Sequence, residues 1–240
     1  MRRFYAGGGP QQNGSVTLGV DESRHIRDVL RLRIGEEIAV FDGLGREFAA
    51  RIDEILKKET RLTVIREIDP AAPESNLDLT LAAALLKSEK FDLVVQKAVE
   101  LGVTRLIPLV TRRTDVKLKD AGKRVERWRK IALEASKQCG RACLMDVAEP
   151  QEFAEFCRSR NGESGVILFT ERSGSLFSEI NALPKMTAVT GPEGGWDDAE
   201  LELAKNVGFS LITLGGRILR AETAAISIVS ILQHRFGDLN

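Results

Sequence analysis

The sequence predicts an α/β protein in two parts: a small β-barrel-like module, then a larger domain on a mostly parallel sheet. Three observations predict it. Short runs of alternating or β-branched apolar residues dominate the chain up to residue 68. A stretch rich in proline and alanine, Asp69-Pro70-Ala71-Ala72-Pro73-Glu74-Ser75-Asn76, then breaks the pattern. Beyond it, apolar strands and amphipathic helices alternate to the end, which builds a parallel sheet covered by helices. The expected domains are 1–72 and 73–240.

In the first part the expected strands are 15–20, 37–42, 47–55 and 61–68, with a hairpin turn at Asp42-Gly43-Leu44-Gly45. One helix interrupts them at 23–32, where Ile26, Val29 and Leu30 recur at helical spacing. In the second part 77–86 is a near-continuous apolar run, as in a strand buried on both faces. Residues 88–101 put Phe91, Val94, Val95, Ala98 and Val99 on one helical stripe, and Gly102 stops the helix. A strand at 103–110 and a long helix at 120–139 follow. Further strands are expected at 165–170, 186–190 and 209–214. A helix at 197–207 opens with Asp197 and Glu200, the spacing of a capping box, and the last helix runs over 221–236.

Composition excludes several classes. Of 240 residues, 43% are hydrophobic, enough for a real core, and 35 basic residues balance 35 acidic ones. Such a chain is neither disordered nor a uniformly basic nucleic-acid binder. No apolar run reaches the length of a membrane-spanning helix, and the N-terminus lacks the apolar stretch of a signal peptide. Cys139, Cys143 and Cys157 have the spacing of neither a disulfide framework nor a zinc site, and read as small buried thiols of a reducing cytoplasm. With two histidines in the chain, no metal site is expected.

Ligands of open α/β sheets bind beyond the carboxyl ends of strands. Three loops qualify. One begins after Leu168-Phe169-Thr170 with Glu171-Arg172. The second is Thr190-Gly191-Pro192-Glu193-Gly194-Gly195-Trp196, whose glycines let a ligand approach the backbone just before a helix N-terminus. The third, Leu214-Gly215-Gly216-Arg217-Ile218-Leu219-Arg220, sets two arginines in a glycine-bearing loop immediately before a helix. No GxGxxG follows a strand, and there is no phosphate-binding GxxxxGK[ST] loop and no GxSxG elbow, so dinucleotide, NTPase and serine-hydrolase readings fall away.

Four ordered strings carry a family resemblance. They are Lys90-Phe91-Asp92-Leu93-Val94-Val95-Gln96-Lys97-Ala98-Val99-Glu100-Leu101-Gly102-Val103, Glu134-Ala135-Ser136-Lys137-Gln138-Cys139-Gly140-Arg141, Gly191-Pro192-Glu193-Gly194-Gly195, and Leu214-Gly215-Gly216-Arg217-Ile218-Leu219-Arg220-Ala221-Glu222-Thr223-Ala224. With Arg2-Arg3-Phe4-Tyr5 near the start, the whole chain resembles the RsmE family of ribosomal RNA uridine N3-methyltransferases in the SPOUT superfamily. Trp196 and Asp197 stand where that family usually has phenylalanine and serine.

The resemblance implies a SPOUT-type trefoil-knotted parallel-sheet domain preceded by a PUA-like β-barrel. It implies a cytoplasmic homodimer that methylates N3 of one uridine in 16S RNA on the small ribosomal subunit. It also implies S-adenosyl-L-methionine as cofactor, held by Leu168, Phe169, Thr170 and Glu171, by Thr190, Gly191, Pro192, Glu193, Gly194 and Gly195, and by Leu214, Gly215, Ile218, Leu219 and Ala224. Uridine N3 is a weakly acidic imide, so the reaction needs a base or a cation that stabilises the anion. Arg220, with Arg217, is the expected cation; Glu193 or Glu171 is a candidate proton acceptor.

RNA contact is expected from Arg2, Arg3, Arg24, Arg31 and Arg33 in the first module. In the second domain it is expected from Arg112, Arg113 and Arg141, with Lys117, Lys119, Lys123, Arg124 and Lys137 nearby. The overall neutrality hides a division: residues 73–141 carry 15 basic against 9 acidic groups, and residues 142–240 carry 8 against 14. Two alternatives stay open: a related methyltransferase acting on another RNA or base atom, which mapping the modified nucleotide distinguishes, and an RNA-binding assembly factor without catalysis, which cofactor calorimetry distinguishes.

Overall fold

A computed structural model describes residues 1–115, 121–172 and 174–239. The chain forms two compact units. One is Met1–Glu74 together with Ser136–Leu144; the other is Ser75–Ala135 together with Met145–Asn240.

The first unit begins with β1 (Arg3–Tyr5) and β2 (Ser15–Leu18). Helix α1 (Val20–Arg24) runs into a π-helical turn at His25–Leu30, and β3 (Glu37–Phe41), β4 (Glu47–Ile55) and β5 (Thr60–Ile68) complete the unit. They form a barrel-like mixed sheet in the order β1-β3-β4-β5-β2, parallel between β1 and β3 and antiparallel elsewhere. Its inner residues are those the alternation selects, among them Phe4, Val16, Ile38, Val40, Phe48, Ile52 and Leu62. The turn joining β3 to β4 is held by Asp42 Oδ1, which accepts from the backbone N–H of Leu44 (2.7 Å) and Arg46 (3.1 Å). The expected helix at 23–32 starts three residues earlier and widens into the π turn; Arg31, at φ +52°, ends it. Strand β1 was not expected, because three residues are too few to show a period.

Segment Ser136–Leu144 enters the first unit through a buried ion network. Arg3 Nε donates to Glu47 at 3.0 Å, and its other nitrogens donate to the carbonyls of Ser136 (3.0 Å) and Arg141 (2.8 Å). The guanidinium also lies 4.0 Å from the centre of the Phe41 ring. Arg141, 5% exposed, pairs with Glu74 at 2.7 Å. The expectation that Arg3 and Arg141 contact RNA is corrected here: both guanidinium groups are committed inside the unit. Lys137 likewise pairs with Glu22 at 2.9 Å.

The second unit contains β6 (Asp78–Ala84), α2 (Lys90–Glu100), β7 (Arg105–Val110) and α3 (Ala121–Cys139), whose last turn counts with the first unit. Then come the short strands β8 (Asp146–Val147) and β9 (Gln151–Glu152), α4 (Phe153–Ser159), β10 (Val166–Phe169) and β11 (Ser175–Leu176). The unit ends with β12 (Lys185–Thr190), α5 (Asp198–Asn206), β13 (Ser210–Thr213) and α6 (Ala221–Phe236). All strand pairs are parallel, in the order β11-β13-β10-β12-β6-β7-β8, with β9 beside β7.

The sheet core joins Ala82, Ile107, Leu168, Val189 and Leu211 to Phe153, Phe156, Trp196 and Leu201 from the covering segments. After β10 the chain passes to β12 on one side and later returns to β13 on the other. That reversal brings three loop-bearing strand ends together.

Cys157 is buried, and burial pushes its thiol up to about 12, whereas Cys139 and Cys143 are only half-buried; all three are free thiols. The reading of all three as buried is thus corrected for two of them. Among the described residues no cluster of candidate metal ligands occurs, and no helix is long and apolar enough to cross a membrane.

The ion network carries a measurable consequence. Removing one partner of a buried pair leaves the other charge uncompensated, which costs about 3–5 kcal/mol. Arg3→Met is expected to lower the stability of the first unit by that amount in urea unfolding followed by circular dichroism. A loss under about 1 kcal/mol would show that the buried pair does not hold the unit together.

Candidate active site

The carboxyl ends of β13, β10 and β12 lie side by side, and their loops enclose a cavity of about 420 Å³. This is within the ordinary size of small-molecule sites, about 300–1,000 Å³. The first loop contributes Phe169, Thr170 and Glu171. The second contributes every residue from Thr190 to Trp196, and the third contributes Leu214, Arg217, Ile218, Leu219 and Arg220. Thirteen of the fifteen residues expected to hold the cofactor line this one space, as do both expected catalytic arginines. The other two do not. Leu168 packs in the sheet core with no exposed surface, and Gly215 is exposed at φ +57° and does not line the cavity.

Trp196 shapes the cavity. Its indole is buried, packs tilted against Phe153 with ring centres 4.9 Å apart, and donates from Nε1 to the carbonyl of Phe169, the last residue of β10, at 2.9 Å. The same nitrogen would lie 2.8 Å from a Cβ at Gly191, so this position has room for no side chain. Gly195 holds φ +70°, and a Cβ there would meet Glu171 Oε1 at 3.0 Å. Arg172 adds a tie, donating to the carbonyl of Trp196 at 2.9 Å and pairing with Asp198 at 2.8 Å.

The expected capping box forms. Asp197 accepts from the N–H of Ala199 at 3.1 Å, while Glu200 Oε2 accepts from the N–H of Asp197 at 3.2 Å. The other oxygen of this buried Glu200 accepts from the N–H of Arg112 at 2.9 Å. The Arg112 guanidinium pairs with Asp197 at 2.9 Å, and Arg113 donates to the carbonyl of Gly194 at 3.2 Å. Arg112 thus ties the end of β7 to the cap of α5 and Arg113 ties it to the glycine-rich loop, while both side chains, expected to meet RNA, stay accessible to solvent.

Residues outside the three loops complete the wall: Lys90 from α2, and Ala221, Glu222, Ala224 and Ile228 from α6. Of these, only Ala224 is among the expected site residues. Lys90 donates to Glu193 and lies 3.9 Å from Glu222. The hydrogen bond from Lys90 holds the Glu193 carboxyl below the usual carboxylate range, which makes Glu193 a poor proton acceptor. Glu171 is exposed, 3.7 Å from Arg172. Arg217 and Arg220 are exposed at the rim and have no ion-pair partner among the described residues.

Of the other residues expected to contact RNA, Arg2, Arg31 and Arg33 are exposed without ion pairs among the described residues, and Arg24 is exposed and pairs with Asp21. Lys117 and Lys119 lie outside the described residues.

Comparison with known proteins agrees with this fold. The profile of an RNA methyltransferase domain matches residues 73–233, and that of an RNA methyltransferase PUA domain matches residues 18–65. These matches, on the α/β fold described above, define a class: an RNA methyltransferase with a PUA domain preceding it in the sequence. A ribosomal RNA small subunit methyltransferase E from Synechocystis sp. is 34% identical over 90% of this chain and 72% of its own length. One from Aquifex aeolicus is 30% identical over 98% of this chain and 100% of its own. The solved structure of a third, from Neisseria gonorrhoeae and bound to S-adenosyl methionine, superposes with a TM-score of 0.92 at 32% identity, covering 100% of both chains. The chain belongs to the ribosomal RNA small subunit methyltransferase E family.

Two measurements probe the site. Trp196→Ala removes a buried ring and is expected to cost about 3–5 kcal/mol of stability, read in urea unfolding of the second unit. The Lys90–Glu193 bridge has a definite sign with pH. Because the Glu193 carboxyl sits low, the bridge is intact at neutral pH and in mild acid, and is lost only as the pH falls through that lowered value. In Lys90→Met, carbon-13 NMR is expected to find the Glu193 titration moved up to the ordinary carboxylate range. An unchanged midpoint would contradict the assigned cause.

Proposed function

We propose that this RNA methyltransferase transfers a methyl group from S-adenosyl-L-methionine to N3 of a specific uridine in 16S ribosomal RNA, on the assembled small subunit in the cytoplasm. The observation that carries the reading is the cavity at three adjoining strand ends, with two arginines at its mouth that have no ion-pair partner among the described residues. Its wall suits that cofactor. Phe169, Leu214, Leu219 and Ile228 give apolar surface for a purine and a thioether-like chain, and the glycine-rich loop lets a ligand reach backbone hydrogen-bonding groups. Glu193, held ionised, adds negative charge that favours a cation. When bound, S-adenosyl-L-methionine supplies a methyl group activated by a positively charged sulfur.

The residues of this chain then have distinct tasks. Arg220 faces the base and stabilises the negative charge that develops on the imide when N3 loses its proton; Arg217 supports it. The closely packed loops fix the reacting groups in line, which is worth up to about 7–11 kcal/mol in favourable cases. Exposed Arg2, Arg31 and Arg33 of the first unit contact RNA phosphates, so binding weakens steeply with salt. A homodimer completes the enzyme. Ile218, 88% exposed between the two arginines, and Leu176, 66% exposed, offer apolar surface for a second copy.

The expected outcome for Arg220→Ala is cofactor affinity within about threefold of the parent, with turnover on small subunits reduced about 10²–10³-fold. Calorimetry and a methylation assay measure the two quantities. An unchanged methylation rate would sink the role of Arg220, and absence of cofactor binding in the parent protein would sink the enzyme reading. Light scattering is expected to give twice the mass of one chain.

A further inference from the structure

The cavity is lined by three carboxylates, and they differ in burial and in partners. Glu193 is bonded to Lys90 and held in its ionised form, and Glu171 is exposed beside Arg172. Glu222 differs. It stands in the first turn of α6, two residues after Arg220, with its side chain 13% exposed. Its Oε2 is buried and has no hydrogen-bond partner among the described residues, although buried carboxylate oxygens are nearly always bonded. Lys90, the nearest cation, is 3.9 Å away and already engaged with Glu193. The charged groups facing Glu222 are Lys90 from α2, Glu193 from the glycine-rich loop, and Arg217 and Arg220 from the loop before α6, with Glu171 across the cavity.

We propose that Glu222 is the catalytic base, accepting the N3 proton of the substrate uridine; this rests on the methyl-transfer reading above. The N3–H bond breaks, the proton passes to Glu222 Oε2, and the electron pair left on N3 forms the new N–C bond as the methyl–sulfur bond breaks and its pair stays on the departing neutral thioether. Arg220 holds the imide oxygens while charge passes through the ring, and the carboxylic acid later returns its proton to solvent. An acceptor oxygen left unbonded in the wall is thereby satisfied by the N3–H of the bound base.

The test compares Glu222→Gln and Glu222→Asp with the parent enzyme, with folding checked by unfolding midpoint and cofactor affinity by calorimetry. Both variants are expected to bind S-adenosyl-L-methionine within about threefold of the parent. Single-turnover methylation of small subunits by Glu222→Gln is expected to fall about 10²–10⁴-fold at pH 7. That deficit is expected to shrink about tenfold per pH unit on going alkaline, as substrate ionised in solution replaces the missing base. Glu222→Asp, which keeps a carboxylate, is expected to retain the pH profile of the parent. Three outcomes overturn the proposal: a rate for Glu222→Gln within about threefold of the parent, a deficit that stays constant with pH, or a loss of cofactor affinity beyond about tenfold, which would make Glu222 a cofactor ligand. An inactive parent that binds no cofactor would instead reject the methyl-transfer reading itself.

Discussion

The site depends on one contact: the Trp196 indole, closed between the end of β10 and the backbone of Gly191. Its N–H occupies the Phe169 carbonyl, and its ring fills the space that a side chain at residue 191 would need. Two ligand loops are thereby fixed to each other without any ligand. The rest follows from that junction. Glu193 is delivered to Lys90, Asp197 caps α5, and Glu200 ties the cap to the backbone of Arg112. A cavity built this way exists before binding, so little ordering cost is left for the ligand to meet.

Charge is arranged on two levels. The neutral total conceals a basic middle third and an acidic final stretch. The acidic stretch supplies the carboxylates of the cavity, where a cation is favoured. Arg217 and Arg220 at the rim present the opposite sign to an anionic partner. Neutrality therefore limits indiscriminate attraction to nucleic acid without removing local recognition.

Much of this was legible from spacing alone. The last helix spans the expected 221–236, and the Asp197–Glu200 capping box forms as the spacing requires. The three loops could be found because glycines at strand ends are a local signal. What spacing could not give is pairing over long separations. Arg3 reaches Arg141 across 138 positions, so a cation that looked available for RNA proves buried. Strands β8, β9 and β11 have two residues each and show no period. Lys90 and Glu222 escaped for a related reason. Each lies in the first turn of a helix, where a charge reads as ordinary helix-end electrostatics, and only the packing of α2 and α6 brings them to one wall.

The reaction proposed for this cavity is methylation of one ribosomal uridine at N3. The most direct measurement incubates the purified protein and S-adenosyl-L-methionine with small ribosomal subunits lacking the modification, then maps the product RNA by mass spectrometry. One new methyl group is expected, on N3 of a single 16S uridine. A methyl group on another base or another atom, or none despite bound cofactor, would contradict it.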